Sequence, residues 1–544
     1  MFEISTFFSG VALGFLLYIS IGVIRNGSKR PPLPPGPKGL PLVGNLSHLP
    51  PPGVFEAHHW LKFKDLYGPI SSITVMGQTI IIINNWKLAS QLLDKRSAKH
   101  SSRPKIMMAG EMVGWENSLG FSPYNDRFRT HRKNMARIIG SKRAAAKYDR
   151  LQEAEVAHFL LHVLDDPERF MDHIRKEAGS VILKIAYGYT AEPSKEDILI
   201  KMAGQAMDDV TAAGVPGAFL VDILPLLRYV PDWVPGANFK RLAKKWSSEL
   251  DDLTEKPYAF VKHQHASGKQ DNSFVSRLLE VGDSTEEARF TTKWSALSLY
   301  AAGADTVRCW ADIMRNIRLT WQTVSSISLF FLAMILYPDV QKKAQEEIDG
   351  VIGNERLPNC SDRQSLPYVN AIVKEVLRWH PVAPMGLPHT STADDVFEGY
   401  FVPKDALIMP NIWYFAHDPE VHHEPMRFNP ERFLSTDGNQ PEQDPHMYTF
   451  GFGRRVCPGR VLADNALFLN IAQSLAVLNI RKDENGAQPE LLFTPGMISH
   501  PKPFKAAITP RSPHHEQLIR SLEQGYPWEQ SDGHIIENMQ RQAS

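Results

Sequence analysis

Cysteine is scarce in this chain of 544 residues: only Cys309, Cys360 and Cys457 occur. Three thiols so far apart make neither a disulfide framework nor a metal-finger pattern, which excludes small cross-linked secreted scaffolds and fits a reducing compartment. Charge of one sign is lacking as well. Sixty lysines and arginines balance sixty aspartates and glutamates, so nothing marks a nucleic-acid-binding surface. No internal repeat, low-complexity tract or glycine-rich dinucleotide fingerprint is visible, which argues against a solenoid and against a fused nucleotide-binding reductase domain. The length suits two or three average domains or one large mixed domain.

What is present begins with an apolar run. Ile4–Ile24 carries Phe7, Phe8, Val11, Leu13, Phe15, Leu16, Leu17, Ile19, Ile21 and Val23, close to the ~20 residues needed to cross hydrocarbon. Arg25, Lys29 and Arg30 follow. Positive charge on that side predicts one N-terminal transmembrane helix over residues 1–25, with a lumenal N-terminus and the bulk of the chain in the cytosol. A cleaved signal peptide fits less well, because the run is long and a proline-rich segment follows instead of a cleavage site. That segment, Pro31-Pro32-Leu33-Pro34-Pro35-Gly36-Pro37, has restricted dihedrals. It reads as a stiff spacer in a basic, proline-rich hinge at 26–45, holding the rest of the chain off the membrane.

Beyond the hinge, Ile70–Val75 and Thr79–Ile83 are rich in β-branched residues around Met76-Gly77, the pattern of a hairpin. Periodicity of 3.6 residues dominates most of 130–380, Asp339–Ile352 included, and strand signals return near 397–410 and 490–508. The fold class is mainly α with small β-sheets at the edges, in a large domain over 46–510. Beyond Pro510, Glu, Gln and His are scattered among few apolar residues, so 511–544 reads as a polar, solvated tail.

The most informative stretch is Phe450-Gly451-Phe452-Gly453-Arg454-Arg455-Val456-Cys457-Pro458-Gly459-Arg460, followed by the amphipathic run Val461–Phe468. Cys457 stands at or just before a helix N-terminus, where unpaired N–H groups favour a negative sulfur. Gly453 and Gly459 let the backbone turn tightly beside a flat macrocycle, and Arg455 can pair with a carboxylate of that macrocycle. The run fits Phe-x-x-Gly-x-Arg-x-Cys-x-Gly and so resembles the cytochrome P-450 haem-thiolate monooxygenases, most closely fungal, basidiomycete-type members of secondary metabolism. The likeness extends over about residues 31–510. It implies haem b, with Cys457 as axial iron ligand and Phe450, Gly453, Gly459 and Arg455 around the cofactor. A thiolate ligand pushes electron density onto iron and favours O–O cleavage.

Companion motifs point the same way. Lys374-Glu375-Val376-Leu377-Arg378 puts Glu375 and Arg378 on one helix face. With Trp379-His380-Pro381 and, downstream, Pro425–Phe433, it resembles the family's buried triad. That implies a structural lock of Glu375, Arg378 and Arg432 behind the haem. In Phe128-Arg129-Thr130-His131-Arg132-Lys133 the family usually has Trp-x-x-x-Arg. Phe128 lacks the indole N–H, so Arg132 is the expected propionate ligand and Phe128 is left unassigned. Ala302-Gly303-Ala304-Asp305-Thr306 resembles the oxygen-handling pentad of the distal helix. There Gly303 leaves room above the macrocycle, and Asp305 with Thr306 would relay protons.

Immediately afterwards the chain departs from that pattern. Residues 307–322, Val-Arg-Cys-Trp-Ala-Asp-Ile-Met-Arg-Asn-Ile-Arg-Leu-Thr-Trp-Gln, have no counterpart, and deleting them joins Thr306 to a normal continuation from Thr323. As straight helix they would add ~24 Å and rotate the downstream residues by ~160°, turning the face of Leu329, Phe330, Leu332 and Met334 away from its core. A bulge or loop is therefore expected. A valine codon begins with GT, a glutamine codon can end in AG, and Leu-Thr permits a branch-point-like sequence, so the insert also reads as translated intron.

Substrate-facing segments follow from the resemblance alone. They are Ile106, Met107, Met108, Met112, Val113 and Trp115; Ala302; Val382 to Leu387 with Met385; and Met497-Ile498. Their apolar, Met-rich character implies a hydrophobic ligand. The run Phe219–Trp233 is expected either to dip into a bilayer or to pack as ordinary helix. The resemblance thus implies a single-pass endoplasmic-reticulum monooxygenase with a cytosolic catalytic domain. It would oxidise a terpenoid- or polyketide-type molecule with O2 and NADPH-derived electrons from a separate cytochrome reductase, with a b-type cytochrome as a further donor. Two alternatives stay open: a haem-thiolate isomerase or dehydratase without external electrons, and a non-catalytic product disabled by the insert.

Overall fold

Two hydrophobic cores, one built on a sheet and one helical, organise the residues that the computed structural model describes, 30–543 apart from 52, 215–216, 282–284, 305–321, 436–437, 439, 485 and 487–488. The sheet core contains helix α1 (Glu56–Tyr67), which buries Trp60 and Phe63. Strands β1 (Ile70–Val75) and β2 (Gln78–Ile83) pair antiparallel with Val75 opposite Gln78. Met76 and Gly77 therefore form a two-residue turn, both at positive φ (47° and 86°), the geometry that matches strand twist.

Strands β3 (His389–Thr390), β4 (Asp395–Phe397), β5 (Tyr400–Val402) and β6 (Leu407–Pro410) come from far along the chain. The four-stranded order is β1-β2-β6-β3, with β6 parallel to β2, while β4 and β5 form a separate hairpin. Ile81, Ile82 and Ile83 are fully buried, which is why β2 reads as a continuous apolar run and not as an alternation.

The proline-rich segment is not a free spacer. Pro34 and Pro35 accept hydrogen bonds from the Ser72 hydroxyl (2.6 Å) and the Ser72 N–H (2.8 Å), and Pro32 accepts from the Phe401 N–H (2.8 Å). Prolines keep their carbonyls although they lack N–H, so an extended proline run is a natural acceptor for the edge strand β1. The approach is close enough that a Cβ on Gly36 would lie 1.8 Å from the Ser72 oxygen.

The helical core contains α2 (Asp126–Ile139), α3 (Asp149–Asp165), α4 (Phe170–Tyr187), α5 (Ile198–Gly214), α6 (Asn238–Ala266), α7 (Glu286–Ala304), α8 (Gln322–Leu336), α9 (Pro338–Val351), α10 (Pro367–Trp379) and α11 (Arg460–Val477). Start and stop signals are local. Asn125 caps α2 by accepting from the Phe128 N–H, proline opens α9 and α10, and Gly188 ends α4 in the left-handed conformation. From Ala466 to Val477, α11 is buried on every side. It is the central post against which α3, α8 and α10 pack. Strands β7 (Leu478–Lys482) and β8 (Ala506–Pro510) pair at its end. The expected strand signal over 490–508 amounts to the start of β8 and a single bridge between Phe493 and Pro501.

The C-terminal segment corrects the reading of a solvated tail. It forms α12 (Pro513–Gly525), capped by Ser512, and α13 (Gly533–Ala543), and Ile519 and Ile536 are fully buried. α12 packs on α3 and α13 on α6. Composition misled because an amphipathic helix needs only a few apolar residues on one face to dock.

Residues 1–25 and most of the insert, 307–321, lie outside the described residues, as do Asp305 and Thr306. No single described helix is long and apolar enough to cross a membrane. Downstream of the insert, Leu329, Phe330, Leu332 and Met334 are all buried in the core, none more than 1% exposed.

Candidate active site

The cysteine loop sits where the two cores meet. Phe452 is buried in the sheet core and Phe450 packs against the helical one, so the intervening backbone is anchored on both sides. Within it the Cys457 N–H donates to the Phe450 carbonyl (2.8 Å), and Val456 N–H to that of Gly453 (3.2 Å). Gly453 has φ +51°, and a Cβ there would lie 2.2 Å from the Leu93 carbonyl oxygen, so only glycine fits. Gly459 is different. It caps α11 with an ordinary φ of −87°, and no atom lies within 4 Å of where its Cβ would be. Its backbone does not demand glycine, whereas Gly451, at φ +79°, does. Burial pushes the Cys457 thiol up, while the Gly459 N–H, Arg132 and Arg460 pull it down. Bound iron would supply what is missing, since a coordinated thiol is deprotonated.

Three guanidiniums near this loop have no carboxylate partner among the described residues. Arg455 donates from Nε to Ser101 (2.6 Å), from Nη1 to Leu119 (3.0 Å) and from Nη2 to Ser122 (2.7 Å), all backbone carbonyls. Arg132 donates to the Val456 carbonyl (2.6 Å), adjacent to Cys457. Arg103, not anticipated from sequence, donates to the Gly120, Leu387 and Pro388 carbonyls. Burial lowers the pKa of all three, and Arg103 and Arg132 lower that of Arg455 further. None forms an ion pair with a described carboxylate. Half-buried positive charge in this arrangement favours anionic partners, and haem carries two propionates. The residues present therefore fit haem. Arg132, Arg455 and Arg103 would hold its carboxylates and Cys457 its iron. Phe128 also gains a place, since the Arg455 guanidinium lies 3.9 Å from its ring centroid, so its π-face carries the cation.

Behind the loop, Glu375 is fully buried and accepts from Arg378 Nε (2.7 Å) and Nη2 (2.8 Å), and Arg432 Nε approaches to 3.2 Å. The network extends beyond those three. Arg432 also reaches Glu442 (2.8 Å), and Glu442 meets His422 (2.8 Å). Burial alone would raise Glu442, but His422 and Arg432 outweigh it and hold the carboxyl down at about 2. His446 performs a similar task nearer the cysteine, bridging Asp444 (2.6 Å) and Asp464 of α11 (2.8 Å). Burial opposes its charge, yet the two carboxylates lift it to about 9.

A pH dependence follows from that lift. The folded His446 binds its proton more tightly than the unfolded one, so its stabilisation is complete below the ordinary histidine pKa of about 6.5 and is lost as pH rises through about 9. His446→Gln is expected to lower Tm at pH 6, with the gap to the parent closing towards pH 9–10. Thermal melts of both proteins across that range check it, and a pH-independent gap would contradict it.

The expected pocket residues are distributed over several elements. Val382 and Met497 belong to neighbouring segments joined by the Ser499 N–H to Val382 carbonyl bond (2.8 Å), and Ser325 of α8 ties to the Ser499 carbonyl. Met385 is buried in the sheet core, whereas Trp115 and Met112 pack in or against the helical one. Ala302 and Gly303 lie on the last turn of α7. That helix is registered on α2 by His131, whose Nδ1 lies 2.8 Å from the Ser295 hydroxyl.

The comparisons agree with this geometry. A family model described as cytochrome P-450 matches residues 34–508. The cytochrome P-450 monooxygenase claR of Ampulloclitocybe clavipes is 48% identical over 94% of this chain and 92% of its own length. The cytochrome P-450 monooxygenase ppsD of Aspergillus oryzae is 46% identical, covering 93% and 94%. The O-methylsterigmatocystin oxidoreductase of Aspergillus flavus is 41% identical, covering 96% of each. With a cysteine loop braced between two cores, half-buried guanidiniums that would suit carboxylates, and relatives of this identity across its length, the chain belongs to the cytochrome P-450 monooxygenases.

Proposed function

We propose that the protein is a membrane-anchored haem-thiolate monooxygenase of fungal secondary metabolism that oxidises a hydrophobic, terpenoid- or polyketide-type molecule. The observation that carries this reading is the set of half-buried guanidiniums around Cys457 that have no carboxylate partner among the described residues. Bound haem supplies oxygen activation through a thiolate-ligated iron. This chain's own residues orient the cofactor through Arg132 and Arg455, fix the cysteine backbone, and present apolar walls at Val382, Met385 and Met497 that exclude water. Asp305 and Thr306 would relay the protons.

Membrane attachment is supported by an exposed apolar run. Leu220, Leu226, Tyr229 and Trp233 are between 65% and 82% exposed, more than a surface without a partner usually leaves bare. A separate reductase is supported by the face of α2 outside Arg132, where Arg129, Lys133 and Arg137 are exposed, a cationic surface for an acidic electron donor. The insert favours one second reading, a translated intron that follows the oxygen-handling motif directly in the sequence. Sequencing the spliced message across residues 307–322 decides it.

The function is tested in microsomes given NADPH, a fungal reductase and isotopically labelled dioxygen, using the chain as it stands and a form without 307–322. Both are expected to bind haem. The shortened form should incorporate labelled oxygen into an apolar substrate at least ~10-fold faster, a difference of ~1.4 kcal/mol in barrier. Conversion without NADPH, or product without label, would overturn the monooxygenase reading.

A further inference from the structure

A cavity of about 400 Å3 lies between α3, α4 and the segment joining α12 to α13, within the size range of small-molecule sites. It shares no residue with the cysteine loop. Glu177, one of its lining residues, accepts a hydrogen bond from Asn470 of α11, ~15 Å along the helix axis from Arg460. The C-terminal segment roofs it. Trp528 stacks on His158 (ring centroids 3.9 Å apart, 16° between planes) and stands 5.1 Å from His162, which in turn stacks on His173 at 5.3 Å.

The polar feature at depth is Glu177 on α4. It is 4% exposed. One carboxyl oxygen accepts from Asn470 (3.3 Å) and the other, Oε2, has no hydrogen-bond partner among the described residues. Glu177 lines the cavity, and an orphan carboxyl oxygen in such a wall costs stability unless a donor reaches it.

The cations at the rim are otherwise engaged. Lys184 bonds Glu529 and the Thr190 hydroxyl, Lys176 bonds the Pro193 carbonyl, and Arg150 is exposed. Burial raises Glu177 to about 8 and lowers His162 to about 4, and it lowers His173 too. His158 is the exception, because Glu155 and the Tyr526 carbonyl outweigh its burial and raise it. The interior thus combines one unsatisfied acid with aromatic faces and mostly uncharged imidazoles.

We propose that this cavity is a second ligand site for a flat organic cation of the aryl amidinium or guanidinium class, its N–H groups on the free oxygen of Glu177 and its ring against Trp528, Tyr526 and Phe159. Such a ligand supplies the missing donor in a charge-assisted bond and exploits the π-faces around it. Entry of the cation requires Glu177 to ionise, so binding near neutral pH releases a proton.

Benzamidine is the probe, with the full-length haem protein and isothermal titration calorimetry in buffers of different ionisation enthalpy. Saturable binding with a millimolar or tighter Kd is expected. Proton release should approach one per ligand at pH 7, and affinity should fall at least ~10-fold in Glu177→Gln. Trp528→Ala should weaken binding as well, with the reduced, CO-bound spectrum unchanged in both variants as evidence of an intact fold. Absence of saturation at ~10 mM, equal affinity in folded Glu177→Gln, or competition by the probe with haem-pocket ligands would each overturn the assignment.

Discussion

Serine in place of Cys457 is expected to abolish turnover while the secondary structure stands. The backbone contacts that shape the loop, Cys457 N–H to Phe450 and Val456 N–H to Gly453, do not involve the sulfur, and the partly buried Phe450 and buried Phe452 that anchor the loop are untouched. A hydroxyl in its place stays protonated and would not supply the electron-rich sulfur that the proposed haem site requires. Activity is expected to fall by at least ~10³-fold, equivalent to ~4 kcal/mol of barrier, with loss of the thiolate signature in the reduced, CO-bound spectrum. Far-UV circular dichroism should change little. Pigment and spectrum that survived the substitution would place the iron ligand elsewhere and remove the basis of the functional reading.

The second large effect falls on folding. Arg378 uses all its donors, two on Glu375 and the others on the carbonyls of Ala416, Pro425 and Arg427. Arg378→Leu leaves those three carbonyls short of a partner and Glu375 buried with only Arg432 and the Asn429 N–H. Breaking a buried pair on one side costs about 3–5 kcal/mol, a large share of the ~5–15 kcal/mol that holds a typical domain together. Soluble, haem-loaded protein is therefore expected to fall to a small fraction of the parent. Arg378→Lys should fare little better, because a single ammonium cannot reproduce the fork that spans Glu375 and three carbonyls. Arg427→Ala is the control. Its pair with Glu424 is 3.4 Å long and more than half exposed on both sides, and pairs of that kind contribute ~0–1 kcal/mol. Haem content per mole of purified protein and thermal melts separate the three variants. A fully loaded Arg378→Leu protein with an unchanged Tm would show that the lock is dispensable.

Legibility in the sequence followed the range of the interactions. Motifs whose residues lie within one turn or one loop were readable as they stood: the Met76-Gly77 hairpin, the Glu375–Arg378 face and the cysteine loop. The anchors that surround the site were less so. Arg103 has no local pattern to mark it, and its importance comes only from the burial that brings it beside Arg455 and His389. Glu442 and His422 likewise extend the Glu375 network across a gap no spacing rule bridges. The tail and the proline-rich segment were misjudged for the same reason. Each reads as solvated or free-standing on composition, yet α12 finds a partner in α3, and the proline carbonyls find one in the edge strand.

The sequence by itself determined the family and the helical character of the chain and singled out Cys457 as the candidate iron ligand, because these rest on fixed local spacings and on periodicity, which neighbours along the chain enforce. Only the tertiary structure decided which arginines stand without a counter-ion, where Glu177 is left with an unsatisfied oxygen, and how the C-terminal segment closes over it. Burial sets the worth of a charge or a hydrogen bond, and burial is a property of the assembled chain.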